Sequence, residues 1–109
     1  MKIDFDKIER VSIPNFKGGE KSFDVKMFTA AGCKILKGEL QSGASIGMHT
    51  HSTDCEIMCI EQGSGVVIFD GEEIPLQAGD IHYCPKGHTH SLINTGEAPL
   101  SFLGIVPEQ

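Results

Sequence analysis

The feature that most constrains the fold of this chain is a series of short apolar runs separated by glycine, proline, serine or aspartate. The runs are rich in isoleucine, valine and phenylalanine, which favour β-strands. They cover residues 26–40, 44–51, 55–62, 65–71, 80–84, 89–94 and 99–106. Ala31-Gly32 divides the first run, and Asp70-Gly71 is typical of a two-residue hairpin turn. Many short strands at regular spacing predict an all-β sandwich or barrel.

Residues 1–22 differ from this pattern and are predicted to form an N-terminal arm. Apolar residues such as Phe5 and Ile8 could share one helical face, but charged residues interrupt them, and Pro14 and Gly18-Gly19 would break a helix. We expect the arm to pack on the barrel or on a second subunit. A chain of 109 residues is the size of one domain, so residues 23–109 are predicted to form a single barrel domain.

Composition narrows the choice of partners and location. The formal net charge of −6 argues against nucleic acid or an anionic membrane as the main partner. No apolar run is long enough to span a membrane, and the acidic start MKIDFDKIERV does not resemble a signal peptide. We therefore expect a cytoplasmic protein that binds a small molecule. A small barrel with open sheet edges also predicts a homodimer.

The four cysteines are expected to be free thiols. Cys33, Cys55, Cys59 and Cys84 form no Cys-x-x-Cys pair, so a structural zinc knuckle is not indicated. In a reducing compartment such thiols are usually buried as small apolar groups.

The sequence HTHS occurs twice, at 49–52 and 88–91, and contains four of the five histidines. His49 and His51 are two residues apart, so a strand would place both imidazoles on one face. Glu56 alternates with Met58 and Ile60, which indicates that its side chain points inward. Two histidines and a carboxylate suit a divalent metal. An exposed pair of histidines with an unrelated glutamate is the alternative, and these three residues alone leave it open.

Glycines frame both histidine segments in a specific pattern. The first, G-x5-H-x-H-x4-E-x6-G, runs from Gly43 to Gly63, and the second, G-x5-P-x-G-x2-H-x3-N, runs from Gly79 to Asn94. These two motifs resemble those of the cupin superfamily, and the short spacing between them resembles that of small microbial cupins. The resemblance implies a double-stranded β-helix, a conical jelly-roll barrel with its pocket at one open end.

The resemblance also implies a metal site. Its four ligands would be His49, His51, Glu56 and His90, while His88 receives no ligand role. We expect His88 to lie at the pocket rim or in solvent. Such a ligand set suits one divalent transition metal, which could be manganese, iron or nickel in octahedral geometry, or zinc with fewer ligands.

The open coordination positions predict a small oxygen-rich ligand, such as a hydroxy acid, a keto acid or a sugar derivative. The first hypothesis is a metal-dependent isomerase, lyase or dioxygenase, in which the metal acts as a Lewis acid. It needs a group for proton transfer, and the candidates near the second motif are His82, Tyr83, Cys84 and His88. The second hypothesis is a ligand-binding or sensing protein without turnover. A third, oxidative chemistry at sulfur, would involve Cys84, because strand parity points Cys55 and Cys59 away from the metal.

Overall fold

The computed structural model describes all 109 residues as an all-β protein with ten strands and two single-turn 3₁₀ helices. The strands are β1 (Val11–Pro14), β2 (Ser22–Ala30), β3 (Cys33–Leu40), β4 (Ser45–Thr50), β5 (Glu56–Gln62), β6 (Ser64–Phe69), β7 (Glu72–Gln77), β8 (Ile81–Cys84), β9 (Thr89–Ile93) and β10 (Leu100–Pro107). The 3₁₀ helices span Phe5–Lys7 and Phe16–Gly18. Neither has the length or the apolar character needed to cross a membrane.

The strands form two antiparallel sheets that face each other. The larger sheet has the order β1-β2-β3-β10-β5-β8, and the smaller sheet has the order β4-β9-β6-β7. From β3 to β10 the chain crosses from one sheet to the other at every connection except the β6–β7 hairpin. This arrangement is the jelly-roll of a double-stranded β-helix, which confirms the predicted fold class.

The hydrophobic core fills the space between the two sheets. Along β10, every second side chain is buried, as the two-residue period of a strand facing a core requires. The larger sheet contributes residues such as Leu40, Met58 and Phe102, and the smaller sheet contributes residues such as Val67 and Leu92. The short apolar runs of the sequence are therefore core-facing strands.

The turns follow the sequence signals closely. Asp70 and Gly71 both have positive φ, 49° and 83°, which is the geometry of a type I′ hairpin turn between β6 and β7. Asn94, at the end of the second motif, is buried and donates hydrogen bonds to the carbonyls of Leu40 and Ala98, both at 2.9 Å. Its side chain thus ties the end of β9 to neighbouring backbone.

Part of the segment predicted as an arm is a strand of the larger sheet, because β1 pairs with β2 in antiparallel register. The chain then returns through the 3₁₀ helix Phe16–Gly18 to lie against β4. Two glycines permit this contact: a Cβ on Gly47 would lie 2.0 Å from the Lys17 carbonyl oxygen, and one on Gly19 would lie 2.0 Å from the Ser45 carbonyl oxygen. The assignment of residues 1–22 as a unit separate from the barrel stays a prediction.

Candidate metal centre

Four side chains converge at one end of the space between the sheets. His49 lies on β4, His51 follows directly after it, Glu56 begins β5 and His90 lies on β9. The Nε2 atom of His90 is 2.9 Å from Nε2 of His51, 3.1 Å from Nε2 of His49 and 3.1 Å from Oε1 of Glu56. The structure therefore brings together the four residues that the sequence motifs select.

The chemistry of these four donors fits a cation better than hydrogen bonds among themselves. Nε2 of His90 faces three acceptor atoms at once, and one proton cannot serve all three. Two ligands at right angles on an octahedral ion with bonds of about 2.1 Å lie about 3.0 Å apart. The separations of 2.9–3.1 Å around His90 and 3.3 Å between His51 and Glu56 match that spacing. The cluster is compatible with a metal-ion site.

Each histidine of the cluster has a partner for its second ring nitrogen. Nδ1 of His49 lies 2.8 Å from the Gly47 carbonyl oxygen, and Nδ1 of His51 lies 2.6 Å from Oδ1 of Asp54. Such partners orient an imidazole and leave its other nitrogen free to bind a metal. Nδ1 of His90 has a different partner, Nε2 of His82 at 3.0 Å.

The electrostatics keep Glu56 ionised. Burial alone would raise the pKa of this carboxyl group, but hydrogen bonds with His51 and His90 outweigh it and lower the pKa to about 2. The hydrogen bond with Glu56, together with Asp54, raises the pKa of His51. Burial lowers the pKa of His49, which favours the neutral imidazole that metal binding needs.

The cluster lines an open cavity of about 200 Å³. Its apolar wall includes Phe16, Phe23 and Phe102, whose rings stack in sequence with centroids 5.2 and 5.9 Å apart. Lys17 and Lys34 also line the cavity. The sequence analysis did not identify either lysine. Lys17 lies in the segment that was predicted to be an arm. Lys34 could have been found, because it has the same strand parity as the buried Leu36.

The four candidates for proton transfer lie outside this cavity lining. His82 is buried on the far side of His90, and burial, with the neighbouring His90, lowers the pKa of His82 to about 4. Tyr83 is exposed on the outer face of β8, and Cys84 is fully buried, which raises the pKa of its thiol to about 12. A role for these residues in proton transfer stays a prediction.

His88 is partly exposed, in keeping with the expectation that it lies at the pocket rim or in solvent. Its side chain is 45% exposed and its Nδ1–H donates to the carboxylate of Asp70. That hydrogen bond lowers the pKa of Asp70. The ring stacks on Phe69 at a centroid distance of 5.5 Å, so His88 is anchored to the β6–β7 turn and does not join the cluster of four.

All four cysteines are free thiols, two of them buried and two half-buried. Cys59 lies on the outer face of β5, between the inward-facing Met58 and Ile60. Its side chain points away from the cluster, as strand parity predicts, and the structure contains no disulfide.

Comparison with known proteins agrees with this architecture. A family model described as a cupin domain matches residues 37–106. An oxalate-binding protein of Thermotoga maritima is 38% identical over 104 residues, which cover 90% of this chain and 84% of that protein. The crystal structure of a predicted oxalate decarboxylase from Thermotoga maritima has a TM-score of 0.94 and 28% identity, with 100% of both chains covered.

A more distant structure shows how widely the fold is used. A sugar phosphate isomerase from Silicibacter pomeroyi has a TM-score of 0.81 at 22% identity and covers 100% of this chain and 76% of that one. At that identity the likeness concerns the fold alone. The family model, in contrast, spans well over half of the chain and includes all four residues of the cluster. The chain therefore belongs to the cupin family.

Proposed function

We propose that this protein holds one divalent transition metal through His49, His51, Glu56 and His90, and that it binds a small dicarboxylate such as oxalate on that metal. The observation that carries the proposal is the convergence of four metal-ligating atoms in a cavity that two lysines also line. When bound, a divalent metal with four protein ligands offers open positions at which a ligand with two oxygen atoms can chelate.

The charges around the cavity favour an anionic ligand. Among the lysine and arginine side chains, Arg10 and Lys37 form ion pairs within the chain, so the ammonium groups of Lys17 and Lys34 have no carboxylate partner. The Lys17 ammonium lies 5.5 Å from the centroid of the Phe16 ring, over its face. In a chain with a net charge of −6, two lysines in the cavity lining provide local attraction for a carboxylate.

The size of the cavity and the similarity to an oxalate-binding protein favour the same class of ligand. A cavity of about 200 Å³ is below the usual range for drug-sized ligands, about 300–1,000 Å³, and therefore suits a molecule of few atoms. The relative from Thermotoga maritima is named for oxalate binding and is 38% identical to this chain. Oxalate presents two adjacent carboxylate oxygens, which match two adjacent open positions on an octahedral ion.

The lining of the cavity favours binding over turnover. None of the four residues considered for proton transfer, His82, Tyr83, Cys84 and His88, lines the cavity. Asp54, the one carboxylate there besides Glu56, is engaged by His51. Proton transfer to or from a bound ligand needs a group within hydrogen-bond reach, and here only the lysines remain for that task. The alternative function is a metal-dependent enzyme, which would use one of those lysines.

The proposal is tested by calorimetric titration of oxalate into protein loaded with manganese, cobalt, nickel or zinc. We expect oxalate to bind metal-loaded protein and not metal-free protein, and acetate, which has one carboxylate, to bind at least about tenfold more weakly, a difference of about 1.4 kcal/mol. Analysis of the recovered ligand separates the alternatives: intact oxalate supports a binding protein, and release of carbon dioxide supports an enzyme.

Matched variants locate the binding groups. His90→Gln should lose the metal. His88→Gln is the matched control, because His88 belongs to the same HTHS copy, and this variant should retain the metal. Lys17→Gln combined with Lys34→Gln should weaken oxalate binding without changing metal content, and Lys86→Gln, outside the cavity, serves as the control for a lost surface charge. Wild-type protein that takes up none of the four metals would contradict the proposal.

We also propose that the protein is a homodimer formed through the outer face of its larger sheet. Tyr83 and Ile81 are 51% and 67% exposed on the edge strand β8, and Tyr83 pairs across the sheet with Ile57, which pairs with Ile105. The face therefore presents apolar side chains on three neighbouring strands. Two copies that each carry a net charge of −6 repel one another, so an apolar contact is the favourable one.

Light scattering tests the assembly directly. We expect twice the monomer mass for the wild type and a monomer for Tyr83→Lys. Val11→Lys is a matched control, since Val11 is also 51% exposed but lies at the opposite edge of the sheet, on β1. A monomeric wild type at micromolar concentration would refute the dimer, and dissociation by Val11→Lys alone would place the contact elsewhere.

A further inference from the structure

His82 is buried behind the cluster, on the side of His90 opposite to the cavity. The side chain reaches inward from β8, and its Nε2 atom lies 3.0 Å from Nδ1 of His90. His82 is 7% exposed and His90 is 2% exposed. The His82 and Phe69 rings pack in a T-shaped arrangement, with a centroid distance of 5.4 Å and an interplanar angle of 76°, so the imidazole is held by packing as well as by the hydrogen bond.

This arrangement differs from that of the other two histidines in the cluster. Nδ1 of His49 has a backbone carbonyl as its partner, and Nδ1 of His51 has a carboxylate. For His90 the only hydrogen-bond partner of Nδ1 is the imidazole of His82. The orientation of His90 therefore depends on a single side chain from another strand.

The position of His90 makes its orientation critical. Its Nε2 atom lies within 3.1 Å of a metal-ligating atom of each other member of the cluster. No other atom of the cluster makes three contacts this short. Rotation of the imidazole about its Cβ–Cγ bond would remove Nε2 from the centre. A hydrogen bond at Nδ1 opposes that rotation and leaves the Nε2 lone pair available.

We propose that His82 is a positioning residue that accepts the Nδ1–H of His90 and thereby directs Nε2 of His90 to the metal. The proposal rests on the metal-binding function proposed above, but the hydrogen bond between the two imidazoles belongs to the protein with or without metal. An imidazole in this place is a neutral acceptor, in contrast to the carboxylate that serves His51.

The experiment compares two replacements of His82 with a buried control. His82→Gln keeps an acceptor oxygen near the place of Nε2, and His82→Leu removes it while filling similar space. Leu76→Ala is the control for damage to the core, because Leu76 is likewise 7% exposed and lies outside the cluster. The first measurement is the dissociation constant for cobalt, with the absorption spectrum of the bound ion as a report on its ligands.

We expect His82→Leu to weaken cobalt binding by about 10- to 100-fold, the range typical for loss of a residue that orients a metal ligand, and to alter the cobalt spectrum. His82→Gln should recover most of that affinity, and Leu76→Ala should bind as the wild type does. Unchanged affinity in His82→Leu would overturn the proposal, as would equal losses in His82→Leu and Leu76→Ala or a failure of glutamine to do better than leucine.

The second measurement separates this proposal from the metal-binding function. In metal-free wild-type protein labelled with ¹⁵N, a scalar coupling across the hydrogen bond should connect Nε2 of His82 with Nδ1 of His90. If that coupling is absent, the pairing is wrong whatever the metal content. If the coupling is present but no metal binds, the proposed function fails while the pairing of the two imidazoles stands.

Discussion

Substitution of Gly47 by alanine tests how the contact between the 3₁₀ helix Phe16–Gly18 and β4 shapes the cavity. Gly47 lies on β4, its carbonyl oxygen accepts from His49, and its Cα faces the backbone of Lys17. An alanine Cβ would lie 2.0 Å from the Lys17 carbonyl oxygen, 2.6 Å from its carbon and 2.7 Å from the Gly19 nitrogen. All three atoms are backbone, so no side-chain rotation can relieve the overlap.

The size of the effect follows from those distances. A Cβ atom essentially never lies closer than 3.0 Å to another heavy atom to which it is not bonded. The Phe16–Gly18 segment must therefore move away from β4 by more than about 1 Å. Overpacking of a core costs about 1–3 kcal/mol, and a clash between two backbones belongs at the upper end, about 3 kcal/mol. For a domain of this size, that lowers the Tm by about 12 °C.

Thermal and urea unfolding of metal-free protein measure this loss of stability, and oxalate titration of metal-loaded protein measures the displacement of Lys17 from the cavity. Gly71→Ala is the control: its φ of 83° strains an alanine, but no atom lies within 4 Å of the added Cβ. That variant should lose about 1–2 kcal/mol and keep its ligand affinity. If Gly47→Ala is as stable as the wild type, the packing of Phe16–Gly18 on β4 is not as described.

Three further predictions concern buried groups. Asn94→Ala should destabilise the protein by about 1–3 kcal/mol in urea unfolding, because the buried carbonyl of Leu40 and the part-buried carbonyl of Ala98 lose their donor. Burial raises the pKa of Cys84 to about 12, against 9.0 in the unfolded chain. Since the unfolded thiol ionises first, stability should fall by up to about 1.4 kcal/mol per pH unit above pH 9, and Cys84→Ala should remove that part of the decline; an equal slope in the variant would refute it. Removal of metal by a chelator should lower the Tm. Metal at a free concentration 100 times its dissociation constant stabilises the folded protein by about 2.7 kcal/mol, and the chelator should remove that stabilisation. The Tm of His90→Gln should not depend on metal.

Periodicity predicted most of the fold because the strands are local features. The division of the first run at Ala31-Gly32, the hairpin at Asp70-Gly71 and the inward alternation from Glu56 to Ile60 all appear in the structure. The two glycine-framed motifs identified the four residues that converge, because their spacing is a property of the chain itself. The resemblance supplied the topology, which periodicity alone does not determine.

The parts that the sequence did not reveal are those set by distant contacts. A register shift in the pairing of β4 with β9, between Ile46 and His49, changes which side chains of β4 face inward, and no local signal marks it. Lys17 reaches the cavity only because Gly47 and Gly19 let two backbone segments touch. The pairing of His82 with His90 spans β8 and β9, and from the sequence alone His82 could be considered only as a candidate for proton transfer.

The structure divides the histidines of the two HTHS copies by their second partners rather than by their place in the motif. In the first copy, a carbonyl and a carboxylate hold His49 and His51, so both imidazoles face the cavity. In the second copy, Asp70 draws His88 outward to the β6–β7 turn, while His82 holds His90 inward. An identical tetrapeptide thus gives one partly exposed and three convergent imidazoles, and the Nδ1 atom of each has a partner that holds the ring in that orientation.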